Sequence, residues 1–295
     1  MYTIASFVQK IFPPEACKRI YSFLISQQNP DGGFRGRGKA SDLYYAAFAI
    51  ASLMAIGKSI ESRSFLEYLA KFEEESLDFI HLCSLLRCHD LLYLLCGSGI
   101  SIEKKQKTFL EIEKYRSMDG GYNHEVKHGS ISSVYGCFLA HQAYSLSGQP
   151  FPASPFLASC LKNLQASDGS YSNEPGLKTG NTTATSAAMI LLSNTISTEE
   201  KYRLVSWLLL QRHSSGGFYA APKASIPDML STSVALYALT TLKYSLKSMR
   251  LSCLEFIESH WEETGGFLGT LLDPVADCEY TFYALLALGS LYREE

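Results

Sequence analysis

Runs of one charge sign are missing from this 295-residue chain. Its 26 Lys and Arg and 29 Asp and Glu give a formal net charge of −3, and the basic residues gather into no long block. Binding along a phosphate backbone needs a concentrated basic face, so nucleic acid is not an expected partner. No uninterrupted apolar stretch approaches the ~20 residues that span a bilayer, so no membrane span is expected. The N-terminal Met1-Tyr-Thr-Ile-Ala-Ser-Phe7 has no basic region followed by a sustained apolar segment, which predicts that there is no signal peptide. The eight cysteines, at 17, 83, 88, 96, 137, 160, 253 and 278, form no Cys-x-x-Cys pair, and those at 83, 88, 96, 137 and 278 fall in apolar runs. That is the pattern of buried free thiols in a reducing compartment, so a cytoplasmic location is expected.

What the chain has in quantity is repetition. Gly32-Gly33-Phe34 with Asp42, Gly120-Gly121-Tyr122, Gly169-Ser170-Tyr171 with Asn181, Gly216-Gly217-Phe218 with Asp228, and Gly265-Gly266-Phe267 with Asp277 are versions of one phrase. Successive aromatics are separated by 88, 49, 47 and 49 residues. The first gap is close to twice 44, which places a copy without its turn near Asp78, ahead of an apolar run to Leu95. Six copies of a unit of 44 to 49 residues account for nearly the whole chain. No such unit can bury its own core, so residues 1–295 are expected to form a single domain of closed repeats.

Each unit reads helix, glycine turn, helix. The segment before the turn is amphipathic, as in Glu15–Gln27, Phe156–Leu164, Glu200–Gln211 and Cys253–Trp261, the mark of a helix with one face in water. The segment after it, as in Met229–Leu242 and Tyr280–Leu291, is apolar or small nearly all round and must be covered on both sides. The predicted fold is all-α, an α6–α6 toroid (α/α barrel) with apolar helices inside and amphipathic ones outside. The glycines supply positive-φ turns, the aromatic after them plugs neighbouring units, and Asp42, Asn181, Asp228 and Asp277 stand at N-cap positions. Parallel inner helices would gather their positive dipole ends at one mouth, which favours an anion there.

These motifs resemble the repeat shared by protein prenyltransferase β subunits and squalene/terpene cyclases. Gln165-Ala-Ser-Asp-Gly169-Ser-Tyr171 is similar to the cyclases' Gln-x-x-x-Gly-x-Trp motif with Tyr in place of Trp, and Gln28-Asn-Pro-Asp-Gly-Gly-Phe34 to the prenyltransferase version. The resemblance covers nearly all of the chain and implies a toroid with a central cavity. In prenyltransferases an Asp, a Cys two residues later and a His from the sixth inner helix bind zinc. Here Asp228 stands at the Asp position, but Leu230 and Tyr280 stand at the Cys and His positions, so the resemblance carries no zinc site over. The cyclases' Asp-x-Asp-Asp-Thr acid motif is approached by Asp277-Cys278-Glu279-Tyr280-Thr281, which keeps two acidic positions. Protonating an alkene needs a carboxylic acid held protonated by its surroundings. Asp277 as a helix cap is the plain alternative, whereas Glu279, a carboxylate in an apolar helix, demands a partner.

The first turn places Arg35, Arg37 and Lys39 among glycines just ahead of an inner helix, which suits a diphosphate, with Mg²⁺ as its companion. Lys223 occupies the matching turn of the fifth unit, where prenyltransferases hold diphosphate, and a solvated loop is its plainer reading. His124 and His128 are four apart but follow a glycine turn. They read as loop, with His128 near the mouth able to touch an anion. Tyr44, Tyr45, Phe48, Phe79, Tyr135, Phe138, Tyr237, Tyr280, Phe282 and Tyr283 fall on inner helices and could line an isoprenoid cavity. Two functions follow. One is an isoprenoid-handling enzyme, transferase-like or cyclase-like, that binds a polyprenyl diphosphate, with Asp277, Glu279, Asp228 and Tyr280 as its reacting groups. The other is a non-catalytic toroid that binds a lipid or a protein partner.

Overall fold

The computed structural model describes residues 1–72 and 75–293. After α1 (Tyr2–Ala5) and a 3₁₀ turn (Ser6–Lys10) come α2 (Pro14–Ser26), α3 (Leu43–Ala55), α4 (Ser62–Ala70), α5 (Phe79–Cys96), α6 (Ile102–Glu113) and α7 (Val134–Leu146). Then follow α8 (Leu157–Lys162), α9 (Thr182–Leu191), α10 (Thr198–Leu210), α11 (Met229–Thr241), α12 (Arg250–Ser259) and α13 (Cys278–Tyr292). The all-α class expected from the sequence is what is found.

Local chemistry explains where the apolar helices start. Asp42, Asp78, Ser133, Asn181, Asp228 and Asp277 each accept a hydrogen bond from a backbone N–H in the first turn of α3, α5, α7, α9, α11 and α13. Such caps satisfy donors that the helix itself leaves unpaired. The marker aromatics Phe34, Tyr122, Tyr171, Phe218 and Phe267 are at most 2 % exposed, so they plug the core as expected.

The turns hold more order than glycine spacing alone conveys. Each folds back as a small hairpin: Gln28 pairs with Phe34, Arg116 with Tyr122, Gln165 with Tyr171, Arg212 with Phe218 and Trp261 with Phe267. In the fifth turn the pairing extends to two short strands, β1 (Phe218–Tyr219) and β2 (Pro227–Asp228). The hydroxyls of Thr185, Thr232 and Thr281, four residues past their caps, accept the backbone N–H of Tyr171, Phe218 and Phe267. Two outer boundaries differ from expectation. The helix expected over 156–164 is confined to Leu157–Lys162: Pro152 and Pro155 hold the preceding backbone in turns, and the chain turns at 163–164 into the hairpin that begins at Gln165. The helix expected over 253–261 is Arg250–Ser259, and Trp261 joins a hairpin instead.

The chain folds into two compact units, residues 1–109 with 257–295, and residues 110–256. In the first, α3 packs against α5 and α13, and α1 and the 3₁₀ turn lie on α13, so the last helix closes on the start of the chain. In the second, α9 packs against α7, α10 and α11. The 18-residue α5 is long and apolar enough to cross a membrane, but 67 % of it is buried within the protein and it carries Arg87 and Asp90, as a core helix can.

Gly265, at φ +100°, tests the turn geometry, because a Cβ there would lie 2.3 Å from the Arg19 carbonyl oxygen. Gly169, at φ +86°, faces open space. Gly169→Ala is expected to cost the ~1–2 kcal/mol of a left-handed non-glycine residue. Gly265→Ala adds a backbone collision and should lower the Tm clearly further in parallel thermal melts.

Candidate functional site at the start of α13

Asp277 is 1 % exposed and does two jobs. One carboxylate oxygen accepts the Tyr280 N–H at 2.9 Å, capping α13, and the other accepts Arg37 Nε at 3.2 Å. The same guanidinium also donates to Asp273, so Arg37 is clasped by two carboxylates that lie 236 and 240 residues away in the chain. It stacks 5.5 Å from the Tyr280 ring centroid. That ring in turn leaves room only for glycine at 269, where a Cβ would sit 2.5 Å from it. Burial raises the Asp277 pKa above the usual carboxylate value despite the Tyr280 N–H and Arg37.

Glu279 turns the other way. Its Oε1 accepts the Tyr44 hydroxyl at 2.6 Å. Tyr44 lies two residues past the cap of α3, as Glu279 lies two past the cap of α13, so the packing of α3 on α13 brings the two positions together. Burial pushes the Glu279 pKa up from 4.5 to about 7. The Tyr44 hydroxyl opposes that rise, the Asp277 charge adds to it, and the charges of Arg37 and Arg87 oppose it. A part-buried carboxyl raised in this way is the kind of group that serves as an acid near neutral pH.

Through Tyr44 this carboxyl adjoins a cluster of aromatic rings. Tyr44 stacks edge-on to Tyr45 and Phe48 at 5.4 and 4.9 Å, and Phe48 contacts Phe282 at 5.7 Å and Tyr283 at 5.5 Å. Deeper on α5, the Arg87 guanidinium lies 5.0 Å from the Phe48 centroid. At the starts of α3 and α5, His81 sits between Asp78, at 2.8 Å, and Asp42, at 3.6 Å, and the bond to Asp42 leads in raising its pKa to about 9.

The other residues singled out from the sequence are placed differently. Arg35 and Lys39 share the first turn with Arg37, and among the described residues neither joins an ion pair. Asp228 caps α11 and accepts both the N–H and the hydroxyl of Ser231. Lys223 and His128 occupy exposed positive-φ turn positions, at φ 72° and 53°, and lie in the second unit with Asp228. Among the described residues no three of His, Cys, Asp and Glu gather as a metal-ligand group, and the Leu230 side chain has no donor atom to offer zinc. A groove of about 590 Å³ in the second unit, lined by Asp168, Glu200, Arg203 and Trp207 among others, touches none of these residues. The sequence reading missed Asp273, His81 and Arg87. A lone arginine inside an 18-residue apolar helix was the available signal for the last.

A family model for the prenyltransferase alpha-alpha toroid domain matches residues 5–141 and 155–294. The chain belongs to this family. Among solved structures, the toroid is similar to a variant of the type II terpene cyclase MstE from Scytonema in complex with geranylgeranyl dihydroxybenzoate. That likeness has a TM-score of 0.62 at 13 % identity, over 95 % of this chain and 96 % of that one. It is similar to Candida albicans protein geranylgeranyltransferase-I complexed with GGPP, with a TM-score of 0.59 at 13 % identity, over 100 % and 92 %. It is also similar to a possible member of the GH105 family from Klebsiella pneumoniae, with a TM-score of 0.63 at 12 % identity, over 96 % and 94 %. No curated protein matches the toroid in sequence. At such identities these likenesses carry the fold, and the site must carry the function.

Because its pKa is higher in the folded chain than in the unfolded one, Glu279 stabilises the fold fully below about pH 4.5 and loses that contribution as the pH rises through about 7. Glu279→Gln should remove this slope and, at pH 8, unfold on the order of 2 kcal/mol less readily than wild type. Denaturant melts of both proteins across pH 4 to 8 check it, and parallel curves would contradict it.

Proposed function

We propose that this toroid is an isoprenoid-handling enzyme in which Glu279 is the proton donor. The observation that carries the reading is a carboxyl with a pKa of about 7, fixed through Oε1 by Tyr44, whose ring belongs to the cluster of Phe48, Phe282 and Tyr283. With Oε1 engaged as an acceptor, the proton sits on Oε2. The Oε2–H bond breaks, the alkene π pair forms the new C–H bond, and the carbocation left behind is stabilised by aromatic faces. Desolvation keeps the acid protonated near neutral pH, and the Tyr44 hydroxyl stabilises the carboxylate formed as the proton leaves. Asp277 and Arg37 act as positioning residues, the first by setting where α13 begins and the second by opposing the rise that burial imposes on the Asp277 carboxyl. The solved relatives with geranylgeranyl ligands support an isoprenoid as the substrate class.

A diphosphate at the first turn finds less support. Arg37 together with Asp273 and Asp277 carries a net charge of −1 when all three are ionised, and an anion would have to displace two carboxylates from one guanidinium. A zinc-dependent transfer finds no support in Leu230, which has no donor atom, or in Tyr280, whose phenol is a poor substitute for imidazole.

The test is product analysis by mass spectrometry after incubation with geranylgeranyl-bearing substrates. Wild type is expected to convert one of them. Glu279→Gln should lose at least about 10²-fold, the usual contribution of a general acid, with its fold retained by circular dichroism, and Tyr44→Phe should lose less. Full activity in Glu279→Gln would remove the acid. Ligand stabilisation without any product would leave the toroid a lipid-binding protein.

A further inference from the structure

Arg87 lies eight residues into α5, about 12 Å along the helix from its start. It is 2 % exposed. Nε donates to the Tyr2 hydroxyl at 2.8 Å, and the guanidinium carbon lies 5.0 and 6.0 Å from the ring centroids of Phe48 and Tyr2. Among the described residues this is its only hydrogen bond, no carboxylate pairs with it, and its two terminal amino groups find no acceptor. Phe48 joins it to the rings of Phe282 and Tyr283. Glu279, whose pKa the Arg87 charge lowers, is engaged with Tyr44.

A phenol and ring faces do not neutralise a guanidinium. A buried ion without its counter-ion is strongly unfavourable, and an apolar side chain of similar volume would serve the packing as well or better. The terminal amino groups form a planar fork that matches the two oxygens of a carboxylate. One positive charge is balanced by one negative charge, whereas a diphosphate would leave excess charge buried. Resting on the reading above that the aromatic cluster takes an isoprenoid chain, we propose that Arg87 binds the carboxylate of an apolar acid whose chain lies along Tyr2, Phe48, Phe282 and Tyr283. The ligand therefore enters anion first, away from the Arg37 clasp, and its polar end sets its depth. Its carboxylate also cancels the positive charge that would otherwise oppose a carbocation formed near Glu279.

The test is calorimetric and thermal-shift titration of the full chain with geranylgeranoic acid, its methyl ester, geranylgeraniol, geranylgeranyl diphosphate and hexadecanoic acid. Wild type should bind geranylgeranoic acid at least tenfold more tightly than the ester or the alcohol. Arg87→Met should erase that advantage while leaving the alcohol's affinity unchanged, and Arg87→Lys should keep part of it. Equal binding of acid and alcohol, an advantage that survives in Arg87→Met, or an Arg87-dependent preference for the diphosphate each overturns the proposal. If both acids bind through Arg87 and geranylgeraniol does not bind, Arg87 stands and the isoprenoid reading falls. If none binds, both fall. Should Arg87→Met fail to fold, carboxyl-labelled geranylgeranoic acid bound to wild type answers by NMR. A bound carboxyl titrating below its free value supports the pairing, and one titrating at or above it refutes it.

Discussion

A buried carboxylate that must cap a helix and hold an ion pair at once is the constraint on which the first unit turns. Asp277 is almost wholly inaccessible, and such a charge is tolerable only while its lone pairs are engaged. The Tyr280 N–H and Arg37 engage them, and Asp273 completes the clasp on Arg37 from the same connecting segment. With the start of α13 held in this way, Glu279 meets Tyr44 at the start of α3. The charge of Asp277 then keeps the Glu279 proton from leaving early.

Much of this scaffold was legible because it is local. An Asp or Asn ahead of an apolar run caps a helix through its own next few N–H groups, and Asp42, Asp78, Asn181, Asp228 and Asp277 all do so. Glycines followed by an aromatic turn the chain and plug the core wherever they occur. The hairpins were hidden because they depend on pairings such as Gln28 with Phe34, in which the first residue has no marked strand preference. The clasp on Arg37 was hidden for another reason. It joins the first turn to the last, and no pattern within a repeat reports which charges meet when α13 packs on α3. The sequence shows three cations together at Arg35, Arg37 and Lys39, which suits an anion, and does not show the two acids from the far end of the chain that engage Arg37. Counting positions from each cap would have set Tyr44 and Glu279 at one level, which is the signal that repeat periodicity offers for contacts across helices.

The likeness to a terpene cyclase, a protein geranylgeranyltransferase and a possible glycoside-hydrolase family member shows how little the toroid alone decides. What separates chemistries is the placement of a few charges in an apolar interior. Two like charges about 6 Å apart repel by about 3 kcal/mol at an effective dielectric of about 20. A bare guanidinium at Arg87 would oppose a carbocation in the same rings by an amount of that order, and a bound anion would lift the opposition. Protonation at Glu279 and charge at Arg87 are in this account parts of one electrostatic arrangement, the first near the helix starts and the second deeper along α5.

The most direct test of that arrangement is the titration of Glu279 itself, followed through its side-chain carboxyl carbon by NMR in wild type and assigned with Glu279→Gln. The expected midpoint is about 7, falling when Asp277 is replaced by Asn in a variant that still folds. A midpoint in the ordinary range near 4.3 would mean that water reaches the carboxyl freely, and Glu279 could not then be the acid at neutral pH.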